Sequence, residues 1–231
     1  MGSVKAVLVR WWRQLSGRDA TATEGLERRR AVAALFAGLG GGLLLRHQPA
    51  DAAAAAARGL IRPPGSLPEA DFLDQCIRCS ECMKACPTGV LQPALFEAGL
   101  AGLWTPTLRT RLSFCELKCR MCSEVCPTDA IAKIALPVKQ SLKIGLAAVV
   151  KDRCLPFSFA EPCTACYDVC PVTPKAIWLR DATVVANGGH SRVLKQPYVD
   201  DQHCIGCGAC EHKCPVAGEA AIRVAGVPVQ A

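Results

Sequence analysis

The chain predicts an α+β fold of small cores, short helices and β-hairpins, and three observations carry that reading. Its 231 residues include sixteen cysteines gathered into four runs, each ending in Cys-Pro. Aromatic residues make up only 5% of the chain, too few for a large conventional core. Each run is followed by a small or apolar pair suited to start a strand: Gly89-Val90, Ala130-Ile131, Ala176-Ile177 and Ala221-Ile222.

The runs are informative residue by residue. Cys76, Cys79, Cys82 and Cys86 precede Pro87, and Cys204, Cys207, Cys210 and Cys214 precede Pro215, both in the spacing CxxCxxCxxxCP. Cys115, Cys119, Cys122 and Cys126 form a looser copy with one extra residue after the first thiol. In the third run Cys154 stands apart from Cys163, Cys166 and Cys170, with the spacer Leu155 to Pro162 between. Three thiolates two residues apart wrap one face of a cubane, and the fourth, three residues on, ligates a partner cluster. Four such runs predict four 4Fe-4S clusters, held by all sixteen cysteines and arranged in pairs. A disulfide framework rarely uses triplets this tight, and structural zinc more often takes two CxxC pairs with a longer spacer.

Which runs pair is open at this level. In one arrangement the looser runs are inserted, at about residues 110–180, within a unit built from the first and last. That gives the sets Cys76, Cys79, Cys82, Cys214; Cys204, Cys207, Cys210, Cys86; Cys115, Cys119, Cys122, Cys170; and Cys154, Cys163, Cys166, Cys126. Consecutive pairing, first with second and third with fourth, is the competitor; insertion is the favoured reading.

From the N-terminus, residues 1–51 read as a twin-arginine (Tat) type leader or a membrane tether. Arg28, Arg29 and Arg30 precede the uncharged stretch Ala31 to Leu45, followed by small residues suited to cleavage. Clusters assembled in the cytoplasm need a route that exports folded protein, so the leader and the cysteines support one another. The apolar stretch is short against the roughly twenty residues of a membrane span, but an uncleaved leader would tether the protein to the inner membrane. Upstream, Val4, Val7, Leu8, Trp11, Trp12 and Leu15 interleave with Lys5, Arg10 and Arg13, as in a basic helix at a membrane surface or an extended leader.

Residues 52–75 contain Pro63, Pro64, Gly65 and Pro68 and read as a linker, with a turn of helix over Glu69 to Gln75. The four-cluster domain then occupies 76–231. Lys143 to Val150 and Arg192 to Val199 read as strands entering the last two runs, with a turn at Asn187-Gly188-Gly189. Gly206 and Gly208 would let backbone amides approach sulfur, while Arg78, Lys84, Lys118, Arg120 and His203 are candidates for placing positive charge near a cluster. Ile77, Ile205, Trp104 and Trp178 are candidates for shielding.

Charge excludes one class. The formal net charge is +7, but sixteen thiolates and four cores of about +2 each bring residues 52–231 to about −5, so the basic pI is no argument for nucleic acid. No CxxC is followed by His, no GxGxxG is present, and no cysteine is left as a nucleophile. An independent catalytic site is therefore not expected.

The segment Arg62-Pro63-Pro64-Gly65, Phe72-Leu73, and the runs CIRCSECMKACP, KIGLAAVVKDRC, CTACYDVCP and CIGCGACEHKCP resemble the NapG/MauM family of ferredoxin-type proteins over about residues 58–225. The resemblance implies tandem or nested bacterial-ferredoxin-like units in a periplasmic electron-transfer protein of a respiratory chain. Its partners would be a membrane-bound quinol-oxidising iron-sulfur protein and a c-type cytochrome or a periplasmic reductase or dehydrogenase. A permanently bound subunit of a molybdoenzyme or hydrogenase, and a non-redox maturation or scaffold protein, are the alternatives.

Overall fold

A computed structural model describes residues 59–185 and 191–227. The leader expected at 1–51 and the turn expected at Asn187-Gly188-Gly189 lie outside the described residues. Among the described residues no helix is long and apolar enough to cross a membrane.

The architecture is α+β, with short helices set between three two-stranded antiparallel sheets. Helix α1 spans Glu69–Gln75, as the sequence predicts, and buries Phe72. Each cysteine run then contributes one helical turn: α2 (Glu81–Lys84), α3 (Met121–Glu124), α5 (Ala165–Asp168) and α6 (Ala209–His212). Each turn carries the third cysteine of its run. A further helix, α4 (Leu136–Ser141), begins with a proline in its first turn, where the absent amide hydrogen is no loss.

Strands leave three of the four runs. β1 (Leu91–Pro93) follows the first and pairs with β2 (Pro106–Leu108). β4 (Ile177–Val185) follows the third and pairs with β5 (Ser191–Val199) in a long hairpin, register Ile177 to Val199. β6 (Ile222–Gly226) follows the fourth and pairs with β3 (Gly145–Val149), the strand that leads into the third. After the second run only an isolated bridge forms, Ile131 to Ser66.

Two apolar clusters result. One gathers Ile61, Phe72, Val90, Leu91, Leu108, Ala130 and Ile131 around Cys82 and Cys122. The other gathers Ala147, Ala176, Ile177 and Ile222 around Cys166, Cys204 and Cys210. The apolar positions that follow each run thus point inward, because a strand leaving the cofactor loop must bury one face against it.

The segment expected to be part of a linker is instead core. Residues 61–64 are buried, and the Ile61 carbonyl accepts a 2.8 Å hydrogen bond from the Leu108 amide. Buried Arg62 donates to both carboxylate oxygens of Glu69 at 2.9 and 2.5 Å, to Thr105 Oγ1 at 2.9 Å and to the Pro106 carbonyl at 2.8 Å. Its guanidinium also lies 4.8 Å from the centre of the Phe72 ring. Arginine is tolerated there because each guanidinium nitrogen has a partner and the charge is paired. Proline and glycine in Arg62-Pro63-Pro64-Gly65 suit a segment whose backbone turns within the core, which composition alone cannot distinguish from a linker.

Candidate metal centres

The sixteen cysteines are free thiols, and they ring four cavities. Cys76, Cys79 and Cys82 share the first with Cys126. Cys115, Cys119 and Cys122 share the second with Cys86. Cys154, Cys163 and Cys166 share the third with Cys214, and Cys204, Cys207 and Cys210 share the fourth with Cys170. We call these the first, second, third and fourth sites after the run that supplies three sulfurs. They are alike in size, each opening on 340 to 360 Å³ of unfilled space with the solvent at its mouth included.

This arrangement corrects the favoured sequence reading. The structure does not bring Cys214 to Cys76, Cys79 and Cys82, nor Cys86 to Cys204, Cys207 and Cys210. Nor does it bring Cys170 to Cys115, Cys119 and Cys122, or Cys126 to Cys154, Cys163 and Cys166. Consecutive runs exchange their fourth cysteines, so residues 110–180 are not an inserted unit. The reason is tertiary: α2 packs on α3 and α5 on α6, which brings the fourth cysteine of each run to its neighbour. Cys154 joins its quartet despite the long spacer, because Leu155–Phe159 winds into a helical turn that takes up chain length.

The donor set fits a cubane and not a single ion. A tetrahedral zinc would draw four sulfurs to about 2.3 Å from one point. Among the described residues no group of three or more His, Cys, Asp or Glu side chains is placed to hold one metal ion. Instead, sulfurs stand around holes walled by residues such as Pro64, Val90, Leu91 and Leu108 at the second site and Ile77, Pro106 and Ile131 at the first. Such walls leave the buried thiolates, Cys82, Cys122, Cys154, Cys166, Cys204 and Cys210, poorly solvated, while Cys79 at the first site is exposed. Burial and neighbouring thiolates push Cys82, Cys122 and Cys166 up to about 12, and Cys154 up to about 11. Burial likewise pushes Cys207 up to about 11 and raises Cys210 still more. Iron bound there would relieve this cost, since its positive charge would take the place of the proton on each sulfur.

The fourth cysteines of the first two runs differ. Burial opposes ionisation of Cys86, but the amides of Leu91, Val90 and Thr88, with the Thr88 hydroxyl beside the sulfur, prevail and hold its thiol below the usual range. Cys126 is lowered in the same way against burial, by the amides of Ile131, Thr128 and Ala130 and by the Thr128 hydroxyl. The Thr88 hydroxyl gives its proton to the Phe114 carbonyl at 2.7 Å, tying the loop of Cys86 to that of Cys115, which lines the same site. In the other half, sulfur accepts from backbone: Ala147 N–H to Cys204 at 3.5 Å and Ala221 N–H to Cys214 at 3.3 Å.

Of the basic residues singled out from sequence, Arg78 lines the first site and Lys84 interacts with the Cys79 thiol, and most are also held by other partners. Arg78 donates to the carbonyls of Leu103 and Ala101, Lys84 pairs with Glu81, Arg120 with Glu124, and His203 with Asp200; Lys118 is exposed. A buried cation the sequence did not single out also reaches a sulfur: Lys139, only 3% exposed, whose ammonium donates to the Glu116 carbonyl and acts on the Cys115 thiol against the raising effect of burial. Position in α4, far from any cysteine in the chain, gave no sequence signal for it. Gly206 and Gly208 are required by packing: both have positive φ, and a Cβ would collide with the Gly145 backbone or the Thr110 side chain. Ile205 is buried at the fourth site, while Ile77, Trp104 and Trp178 are exposed.

Comparison with known proteins agrees with this pairing. Residues 75–131 and 161–217 each match a family described as a 4Fe-4S dicluster domain. The first match covers runs one and two, and the second covers most of runs three and four. The chain is 39% identical to the methylamine utilization ferredoxin-type protein MauM of Methylorubrum extorquens over 190 residues, 79% of this chain and 80% of that one. It is 36% identical to the ferredoxin-type protein NapG of Escherichia coli over 167 residues, 71% of this chain and 69% of the other. The chain belongs to the NapG/MauM ferredoxin-type family. Ferredoxin-type NapF of Escherichia coli is 32% identical over 68% of this chain and 81% of its own. No solved structure gives a significant match. As a NapG/MauM protein the chain binds 4Fe-4S clusters through its dicluster domains and works in electron transfer.

Proposed function

We propose that this protein is a periplasmic electron relay carrying four 4Fe-4S clusters, one in each cysteine-ringed site. On this reading it takes electrons from a membrane-bound quinol-oxidising iron-sulfur protein and passes them to a c-type cytochrome or a periplasmic redox enzyme. The observation that carries the reading is the set of four cavities of one size, each edged by four thiols, three from one run and one from its neighbour. Export by the Tat route is supported by Arg29-Arg30 ahead of the uncharged stretch Ala31 to Leu45.

Each cluster supplies a site for one electron at a time, and the chain's residues do the rest. The thiolates anchor it, the apolar walls limit the access of water, and N–H and O–H groups near sulfur favour the more electron-rich state. No nucleophile or acid-base pair is needed, since the transfer moves no proton and breaks no bond. Anaerobic purification of the full chain from its native membrane tests the reading. About sixteen iron and sixteen sulfide per chain are expected, with a quinol-oxidising partner retained. Iron for only two clusters, or recovery with the cytoplasmic fraction alone, would refute it.

A further inference from the structure

The two dicluster halves meet through their ligand loops. The Cys115 amide donates a 2.8 Å hydrogen bond to the Cys207 carbonyl, so a second-site ligand touches a fourth-site ligand directly. Around that bond the preceding loop is clamped to the last run. Arg111 donates to the carbonyls of Glu211 and Cys214 at 3.0 Å each and of Val216 at 2.7 Å, and Thr110 Oγ1 donates 2.9 Å to Glu211. The Phe114 and His212 rings lie 5.8 Å apart over the same seam. Gly208 is pressed against Thr110 so closely that no Cβ would fit. Within each half the links are of another kind. Cys82 of the first site and Cys122 of the second share one apolar cluster, and Cys166 of the third shares another with Cys204 and Cys210 of the fourth.

We infer that the electron path runs first, second, fourth, third, out of chain order, and crosses between the halves at Cys115 and Cys207. The inference rests on the reading that clusters fill all four sites. At the crossing, one electron leaves the reduced cluster of Cys86, Cys115, Cys119 and Cys122, which is oxidised. It reduces the oxidised cluster of Cys170, Cys204, Cys207 and Cys210; no bond breaks and no proton moves. The first and third sites are the two ends, where electrons enter and leave. Arg111 is a positioning residue, holding the two ligand loops in register through three backbone carbonyls. This hydrogen bond joins a ligand of the second site to a ligand of the fourth through backbone alone.

The test uses the full chain, loaded with clusters and fully reduced by dithionite, and reads magnetic interaction between neighbouring clusters by EPR. Removing an internal cluster isolates an end. Cys119→Ser is expected to leave the first site with a simple unsplit signal, and Cys207→Ser to do the same for the third. Cys79→Ser and Cys163→Ser remove an end cluster and leave three coupled clusters with no isolated signal. An isolated signal from either end variant, or none from either internal variant, overturns the order. Arg111→Ala alters no sulfur ligand, and loss of the splitting between halves with iron content unchanged is expected; Arg111→Lys restores part of it. An unchanged spectrum in Arg111→Ala overturns the crossing. Iron below about sixteen per unaltered chain overturns the functional reading itself, separately from the order.

Discussion

The two halves hold alike quartets of cysteines in cavities of like size, yet they are supported differently. In the first half the core contains Phe72, Leu91, Leu108 and three β-branched residues, locked by buried Arg62. In the second, three of the seven buried core members are cysteines and two are alanines. The second half therefore leans on its metal, and the first has an apolar core of its own. The regular runs repeat the contrast. Arg78 and Ser80 in run one adopt positive φ, as Gly206 and Gly208 do at the same places in run four. The non-glycine residues are tolerated in run one because that loop is exposed, and Arg78 uses the geometry to hold the Leu103 and Ala101 carbonyls. Run four has β3 and Thr110 packed on it, so the same backbone requires glycine. One spacing of sulfur thus specifies one loop, and the surroundings decide which side chains that loop can carry.

The contrast can be broken most directly by removing the metal. Chelation under anaerobic, reducing conditions should abolish hydrogen-exchange protection in β3 and β6 while amides around Leu108 and Leu67 keep some. Simultaneous loss in both halves would show that the apolar core of the first half has no independent strength. Next in size, Arg62→Ala leaves Glu69, Thr105 and the Pro106 carbonyl without their partner. It should destabilise the first half by about 3 to 5 kcal/mol in denaturant melts, with the second half unmoved.

Electronic differences are smaller. Lys139→Met removes a buried cation beside Cys115 and should lower the potential of the second site on the order of 50 to 100 mV in EPR-monitored titrations, with Lys139→Arg restoring most of it. A shift at another site instead would refute this role. Thr128→Val gives the second run the Pro-Val that follows Cys170 and Cys214, and deletes the hydroxyl 3.8 Å from Cys126. A fall of about 20 to 50 mV at the first site is expected. Thiol chemistry offers the mildest test. Cys86 and Cys126 are held low, so in cluster-depleted protein at neutral pH they carry more thiolate than Cys82 and Cys122, pushed up to about 12. They should alkylate first, and their advantage should fade as pH falls through their lowered values and thiolate is lost. Uniform labelling by mass spectrometry would contradict it.

Much of the molecule was legible in the residues. The CxxCxxCxxxCP runs state the kind of cofactor, since sulfur spacing along a tight loop is a local property, and the α1 turn and the β4 and β5 strands follow from equally local patterns. Arg62-Pro63-Pro64-Gly65 was not legible, because turn-forming residues look alike in a linker and in a core. Lys139 was not, because burial of a lone lysine depends on which carbonyl and sulfur come to meet it.

The amino-acid order by itself determined that thiols would be gathered in fours, what they would hold, and that short helices and hairpins would surround them. Only the tertiary structure decided which quartets form and how they line up. The fourth cysteine of each run points away from its own loop, so its partner is chosen by the packing of α2 on α3 and α5 on α6 and by the Cys115 to Cys207 seam, relations between segments distant in the chain that no spacing encodes.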